Sequence, residues 1–86
     1  MHNVILRTVT VTEDWQPLSA TPLVGSVTIS TPPTNAATVL MRSIDDPEND
    51  VFLVNGEWHD FQRIDLSTIQ VKGTPGDKVT LIGGTW

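Results

Sequence analysis

The chain has 86 residues, no cysteine, and ten acidic against five basic side chains, which gives a net charge of −5. This length makes one small domain, and the lack of cysteine excludes disulfides and thiolate metal sites. The acidic balance and the scattered Lys and Arg exclude a basic nucleic-acid-binding surface, and no apolar run approaches the roughly 18 residues of a membrane span. A core this small usually needs extra stabilisation, which favours docking or oligomerisation.

The first half of the chain predicts β-strands, because short runs rich in Thr and Val alternate with Pro, Gly, Asn and Asp. No stretch shows a sustained helical period. The first strand is predicted at residues 4–12, and Gln16 and Pro17 lie in the break after it. The second is predicted at Val24–Ser30, where successive residues face opposite sides. The third is predicted at residues 38–43.

The strongest turn signal is the Asn-Gly pair at positions 55–56, between the two apolar runs of residues 51–61. This dipeptide favours the type I′ turn of a two-residue β-hairpin, since both central residues need a positive φ. The resulting register places Leu53 opposite Trp58, an aromatic cross-strand pair of the kind that stabilises hairpins.

A second hairpin is predicted near the end of the chain, from Ile69–Lys72 and residues 78–82 around the sequence Gly-Thr-Pro-Gly-Asp. Residues 63–68 are expected to form a tight corner before it. The predicted fold is all-β: a small β-sandwich of six to seven short antiparallel strands, spanning residues 1–86 as a single domain. Jelly-roll-like connections are one arrangement of these strands.

The neighbourhood of His59 is where a catalytic constellation would have to lie. A hydrolase would need Ser43 or Ser67 to reach His59, with Asp60 or Asp65 orienting the imidazole. Successive residues of a strand point to opposite faces, so Asp60 is poorly placed for this role. A partly exposed histidine at the rim of a sheet is therefore the favoured interpretation, and the protein is predicted not to be an enzyme.

The acidic segment Asp-Asp-Pro-Glu-Asn-Asp at 45–50 offers the clustered oxygens that calcium prefers. It lacks the alternating ligands, glycine and distal glutamate of an EF-hand loop, so a solvated turn is favoured. The glycines at 73 and 76 precede no helix that could hold a phosphate. No metal and no cofactor is predicted.

The three tryptophans, Trp15, Trp58 and Trp86, are candidate interface residues. Tryptophan is enriched at protein–protein hot spots, and exposed tryptophans on β-sandwiches also stack on sugar rings in carbohydrate-binding modules. Trp86 is expected to pack in the core or on a neighbouring subunit. Val9 and Val11 complete the candidate set, because the first predicted strand could pair with a neighbour's sheet as an exposed edge.

The C-terminal segment FQRIDLSTIQVKGTPGDKVTLIGGTW resembles the ends of small virion proteins of tailed bacteriophages. Those proteins often close with an apolar-D-L-S-x-apolar-x-V-K-G-T-x-G-D-x-V-x-V-x-G pattern. The matching positions here are Ile64, Asp65, Leu66, Ser67, Ile69, Val71, Lys72, Gly73, Thr74, Gly76, Asp77, Val79, Leu81 and Gly83. The resemblance implies a β-sandwich at the surface or a junction of a phage particle, with no catalytic residues to carry over.

The predicted function is that of a non-enzymatic structural protein of a bacteriophage virion, with capsid decoration as the favoured role. The alternative is a carbohydrate- or receptor-binding module of a tail or fibre. The expected partners are the major capsid protein or other virion proteins. Further copies of the chain are also expected, in a trimer by analogy with the threefold positions of icosahedral shells. The protein would be made in the host cytoplasm and reside in the virion, without nucleic-acid or membrane partners.

Overall fold

The computed structural model describes residues 3–85, which form eight strands and one 3₁₀ helix. The all-β prediction is confirmed, with one strand more than the largest number expected. The additional strand is β2, whose two residues were predicted to lie in the break after the first strand. The elements are β1 (Val4–Thr10), β2 (Gln16–Pro17), β3 (Val24–Ser30), β4 (Val39–Ser43), β5 (Asp50–Leu53), β6 (Trp58–Asp65), the 3₁₀ helix (Leu66–Thr68), β7 (Ile69–Lys72) and β8 (Lys78–Thr85).

The strands form two four-stranded antiparallel sheets. Sheet A has the order β1-β8-β3-β6, and sheet B has the order β2-β7-β4-β5. The first strand pairs with the eighth, the second with the seventh, the third with the sixth and the fourth with the fifth. This nested pairing describes one long antiparallel ribbon rolled over a core, which is the jelly-roll form of a β-sandwich.

The hairpin predicted over residues 51–61 does not form, because β5 and β6 belong to different sheets. Leu53 pairs with Val39 and not with Trp58. Only Gly56 of the two turn residues has a positive φ, so the type I′ turn is absent. Thr31 holds the chain in a crossing between the sheets: its carbonyl accepts from the Gly56 amide at 2.9 Å, and its hydroxyl donates to the Val54 carbonyl at 2.7 Å.

The second predicted hairpin is also wrong, since β7 lies in sheet B and β8 in sheet A. Val71 and Val79 reach the core from opposite sheets, and both are fully buried. Asp77 fixes the crossing between them. Its two carboxylate oxygens accept from the backbone amides of Ala36 and Ala37 at 2.8 and 3.0 Å.

The core fills the space between the two sheets. The first strand ends at Thr10, two residues earlier than predicted, because Val11 leaves sheet A and its amide donates to the Asp77 carbonyl at 2.8 Å. The buried hydrophobic side chains are Ile5, Val11, Leu18, Val27, Ile29, Val39, Met41, Leu53, Leu66, Val71, Val79 and Leu81.

In the C-terminal segment that resembles virion proteins, Asp65 and Gly83 have structural roles. Asp65 accepts hydrogen bonds from the Leu23 amide and from the amide and hydroxyl of Ser67, and so caps the 3₁₀ helix. Gly83 lies against β3, where a Cβ atom would stand 2.0 Å from the Ser26 carbonyl oxygen. Asp65 and Gly83 of this segment therefore have roles in the fold itself.

Candidate docking surfaces

Large apolar side chains remain exposed on the outer face of sheet A and along one flank of the sandwich. These side chains, together with the two described tryptophans, are the features from which a binding site could be built. The exposed large apolar residues are Val4, Leu6, Val24, Ile44, Val51, Phe52, Val54, Trp58 and Ile82.

Three of these side chains form a contiguous group on sheet A, which we call the apolar strip: Val4, Leu6 and Ile82. Leu6 lies directly opposite Ile82 in the β1–β8 register, and Val4 is the next residue of β1 on the same face. Val4 and Leu6 are each 69% exposed, and Ile82 is 58% exposed. β1 is an edge strand among the described residues 3–85, so the strip borders backbone that pairs there with no further strand of sheet A.

Trp58 lies on the same outer face, on the opposite edge strand β6. It is 65% exposed and stands opposite Ser30 of β3. Two residues along β6, the Asp60 carboxylate accepts a hydrogen bond from the Thr28 hydroxyl. The indole ring is therefore exposed beside hydroxyl and carboxylate groups, unlike the apolar strip on β1.

Trp15 lies on the outer face of sheet B and is only partly exposed. The Arg42 guanidinium carbon stands 4.1 Å from the ring centroid, and the Lys72 ammonium nitrogen stands 4.9 Å from it. Both contacts are within the range of cation–π attraction. Arg42 is oriented further by its Nε, which donates to the Gln70 side chain at 2.9 Å. The ring of Trp15 is therefore stacked against two cationic side chains of its own chain. No spacing in the sequence predicted these contacts.

Two other candidate interface residues, Val9 and Val11, lie at or in the core. Val9 is partly buried and packs against the core, and Val11 is fully buried within it. Trp86 lies outside the described residues. The sequence analysis missed Val4 and Leu6. Successive residues of β1 face opposite sides, and both sides carry apolar residues, so the sequence does not show which side faces outward.

An open groove follows the flank of the sandwich between β5 and β6, the edge strands of the two sheets. Two adjoining hollows of about 310 and 360 Å³ make up this groove and share Met41, Val51 and Phe61. We call it the flank groove. Its walls are mainly side chains from the inner faces of the sheets, so it opens onto the core.

His59 does not form the catalytic constellation considered above. Its ring nitrogen Nε2 bonds the Glu57 carboxylate, and this hydrogen bond, followed by one from the Val54 amide, lowers the pKa of Glu57 below its ordinary value. The Ser67 hydroxyl donates instead to Asp65 at 2.7 Å. Across residues 3–85, no three His, Asp or Glu side chains converge as metal ligands would.

The described part of the chain contains no helix of the length and hydropathy needed to cross a membrane. Comparisons with protein-family models, with curated proteins and with solved structures gave no match for this sequence or fold.

Proposed function

We propose that the protein is a non-enzymatic structural protein of a bacteriophage virion and that it decorates the capsid. The observation that carries the proposal is the apolar strip of Val4, Leu6 and Ile82 beside the free edge of β1. A contiguous exposed apolar group on a small domain marks a protein–protein site. The resemblance of the C-terminal segment to virion proteins supports the setting, and viral capsid domains are among the proteins that use jelly rolls.

The strip and the strand edge supply two kinds of contact to one partner surface. A partner strand that pairs with β1 would gain main-chain hydrogen bonds, and the strip would bury its side chains against the same partner. Complete burial of one such side chain contributes about 1.5–3 kcal/mol before the costs of association. Capsid shells repeat the same surface many times, so a trimer of this chain would bind through several strips at once.

The test is co-sedimentation of the purified chain with shells assembled from the major capsid protein. We expect the wild-type chain to sediment with the shells and Leu6→Glu to bind about tenfold more weakly or worse, because the carboxylate would be desolvated in the contact. Ile44→Glu is the matched control, since Ile44 is exposed in the loop after β4, away from the strip. Failure of the wild-type chain to bind shells would contradict capsid decoration. Equal binding by Leu6→Glu would contradict the role of the strip.

A second candidate function is carbohydrate or receptor binding, and the exposure of Trp58 favours it. An indole ring that stands free beside Asp60 and the Thr28 hydroxyl could stack on a sugar ring while polar groups bond its hydroxyls. Glycan-array binding that disappears in Trp58→Ala, together with no binding to shells, would establish this alternative. The Leu6→Glu chain should then bind the same glycans as the wild type.

A further inference from the structure

The two flanks of the sandwich differ in how the chain covers them. On the β1–β2 side, the connection between these strands closes the gap: Val11 is fully buried there, and the Thr12 carbonyl accepts from the Gly73 amide at 2.9 Å. On the β5–β6 side lies the flank groove. Val51 is 53% exposed there although it pairs with Met41, which is buried on the same face of sheet B. The open flank thus exposes side chains of the type that a sandwich normally buries.

The chain segment that contains β5 and runs beside the flank groove is acidic. Residues 44–60 comprise the loop before β5, β5 itself, the crossing to β6 and the first residues of β6, and they include no Lys or Arg. Arg42 also lines the groove, and its guanidinium lies over the ring of Trp15 on the outer face of sheet B. The carboxylates of this segment are Asp45, Asp46, Glu48, Asp50, Glu57 and Asp60. Asp60 lies on the outer face of sheet A beside Thr28. The other five, half of the ten acidic side chains of the chain, belong to the segment beside β5, which we call the acidic border, and Glu57 among them lines the groove.

The two strand edges beside the groove are not equivalent. β6 contains a bulge where its register with β3 shifts, and Arg63 has a φ of 52° at this point. Bulges bend and twist a strand and so interrupt further pairing along its edge. β5 pairs with β4 in regular register over its whole length, and no strand of the described part of the chain lies on its other side in sheet B. The edge of β5 is therefore the better template for an added strand.

We propose that the flank groove binds an extended segment of a partner protein in which apolar and basic side chains alternate. The segment adds to the free edge of β5 as a strand. Because strand side chains alternate between faces, its apolar side chains enter the groove beside Val51 and Phe61, while its Lys and Arg side chains face the acidic border. A second copy of this chain is a poor occupant, since its net charge of −5 would meet the same acidic border. This site is separate from the apolar strip and does not depend on the virion role.

The experiment mixes the full chain with a synthetic peptide of alternating lysine and valine. Binding is measured by fluorescence anisotropy of the peptide, and its position on the chain by backbone amide hydrogen exchange. A peptide of alternating glutamate and valine tests the charge requirement. Val51→Lys is the test variant and Val24→Lys is its matched control, because these two valines are 53% and 50% exposed and undergo the same change of charge. Val24 lies on β3 in sheet A, outside the groove.

We expect the lysine peptide to bind the wild-type chain and to slow amide exchange in β5. The glutamate peptide should not bind, and Val51→Lys should weaken binding of the lysine peptide about tenfold while Val24→Lys leaves it unchanged. Equal loss in both variants, or protection of β1 instead of β5, would overturn the proposal. Absence of lysine-peptide binding would overturn it as well. Dissociation of a homo-oligomer by Val51→Lys alone would identify a second copy as the occupant and would overturn it too.

Discussion

Replacing Gly83 by alanine tests how closely the strands of sheet A approach one another. Gly83 lies in β8 opposite Ile5 of β1 and Val27 of β3, and both partners are core residues. A Cβ at this position would stand 2.0 Å from the Ser26 carbonyl oxygen and 2.7 Å from the Val27 Cα. Since Cβ atoms essentially never approach other heavy atoms within 3.0 Å, the backbones of β8 and β3 would have to separate by about 1 Å.

The expected cost of Gly83→Ala is about 3 kcal/mol or more, from overpacking of the core and weakened β3–β8 hydrogen bonds. A chain of 86 residues has a total stability of about 4–13 kcal/mol, so this loss would be a large fraction of it. The free energy of unfolding is measured by urea titration with tryptophan fluorescence. The midpoint of thermal unfolding should fall by roughly 10–25 °C.

Gly73→Ala is the matched control for this substitution. A Cβ at Gly73 would meet the Val11 side chain at 3.4 Å and the Thr38 carbonyl oxygen at 3.6 Å, which are ordinary contacts. Its stability should stay within about 1 kcal/mol of the wild type. If both substitutions lower the free energy of unfolding by the same amount, the close approach of β8 to β3 does not determine the cost of Gly83→Ala.

Asp77→Ala should lower the free energy of unfolding by about 3 kcal/mol, because the amides of Ala36 and Ala37 lose their carboxylate partner; a urea titration that shows no change would contradict this role. Asp65→Asn should lower stability at neutral pH but progressively less in acid. The hydrogen bond from the Ser67 hydroxyl, followed by those from the Leu23 and Ser67 amides, lowers the pKa of Asp65 below its ordinary value of 3.8. The stabilisation that the Asp65 carboxylate gives the folded chain is therefore complete above pH 3.8. It is lost as the pH falls through the lower pKa of the folded state. Urea titrations of both chains at neutral and acid pH check this convergence, and a constant difference would contradict it. Arg42→Ala should cost about 0.5–1 kcal/mol and shift the fluorescence emission of Trp15 to longer wavelength, because the ring becomes more hydrated; emission spectra recorded in a background that carries both Trp58→Phe and Trp86→Phe check the shift.

The all-β class and three strand positions were predictable because they follow from local patterns. Val24–Ser30 was predicted with its observed bounds, since Val27 and Ile29 alternate cleanly with Ser and Thr. β7 forms where Ile69 and Val71 alternate with Gln70 and Lys72, and β4 forms at a short apolar run between turn residues. Alternation of this kind needs no knowledge of distant partners.

Strand pairing was not predictable, because it depends on contacts between residues far apart in sequence. Asn55 and Gly56 carry a strong local hairpin signal, but hydrogen bonds to Thr31 direct this segment across to the other sheet. Asp77 acts in the same way through Ala36 and Ala37. In a jelly roll almost every connection crosses between sheets, so local turn preference predicts the wrong partners.

The candidate docking surfaces were predictable only in part. The sequence singled out Trp58, which proves to be largely exposed, but it could not assign Val4 and Leu6 to the outer face. The flank groove was not predictable from the sequence. It forms because the edge strands β5 and β6 of different sheets lie on the same flank, and no local sequence pattern shows this arrangement.

Hydrogen exchange of the chain with and without assembled capsid shells tests the central claim of docking through β1 most directly. Main-chain pairing at the edge of β1 would slow the exchange of amides within Val4–Thr10, whereas amides of β5 would keep the rates of the free chain. Unchanged exchange in β1 on shells that demonstrably retain the protein would contradict the proposed docking surface.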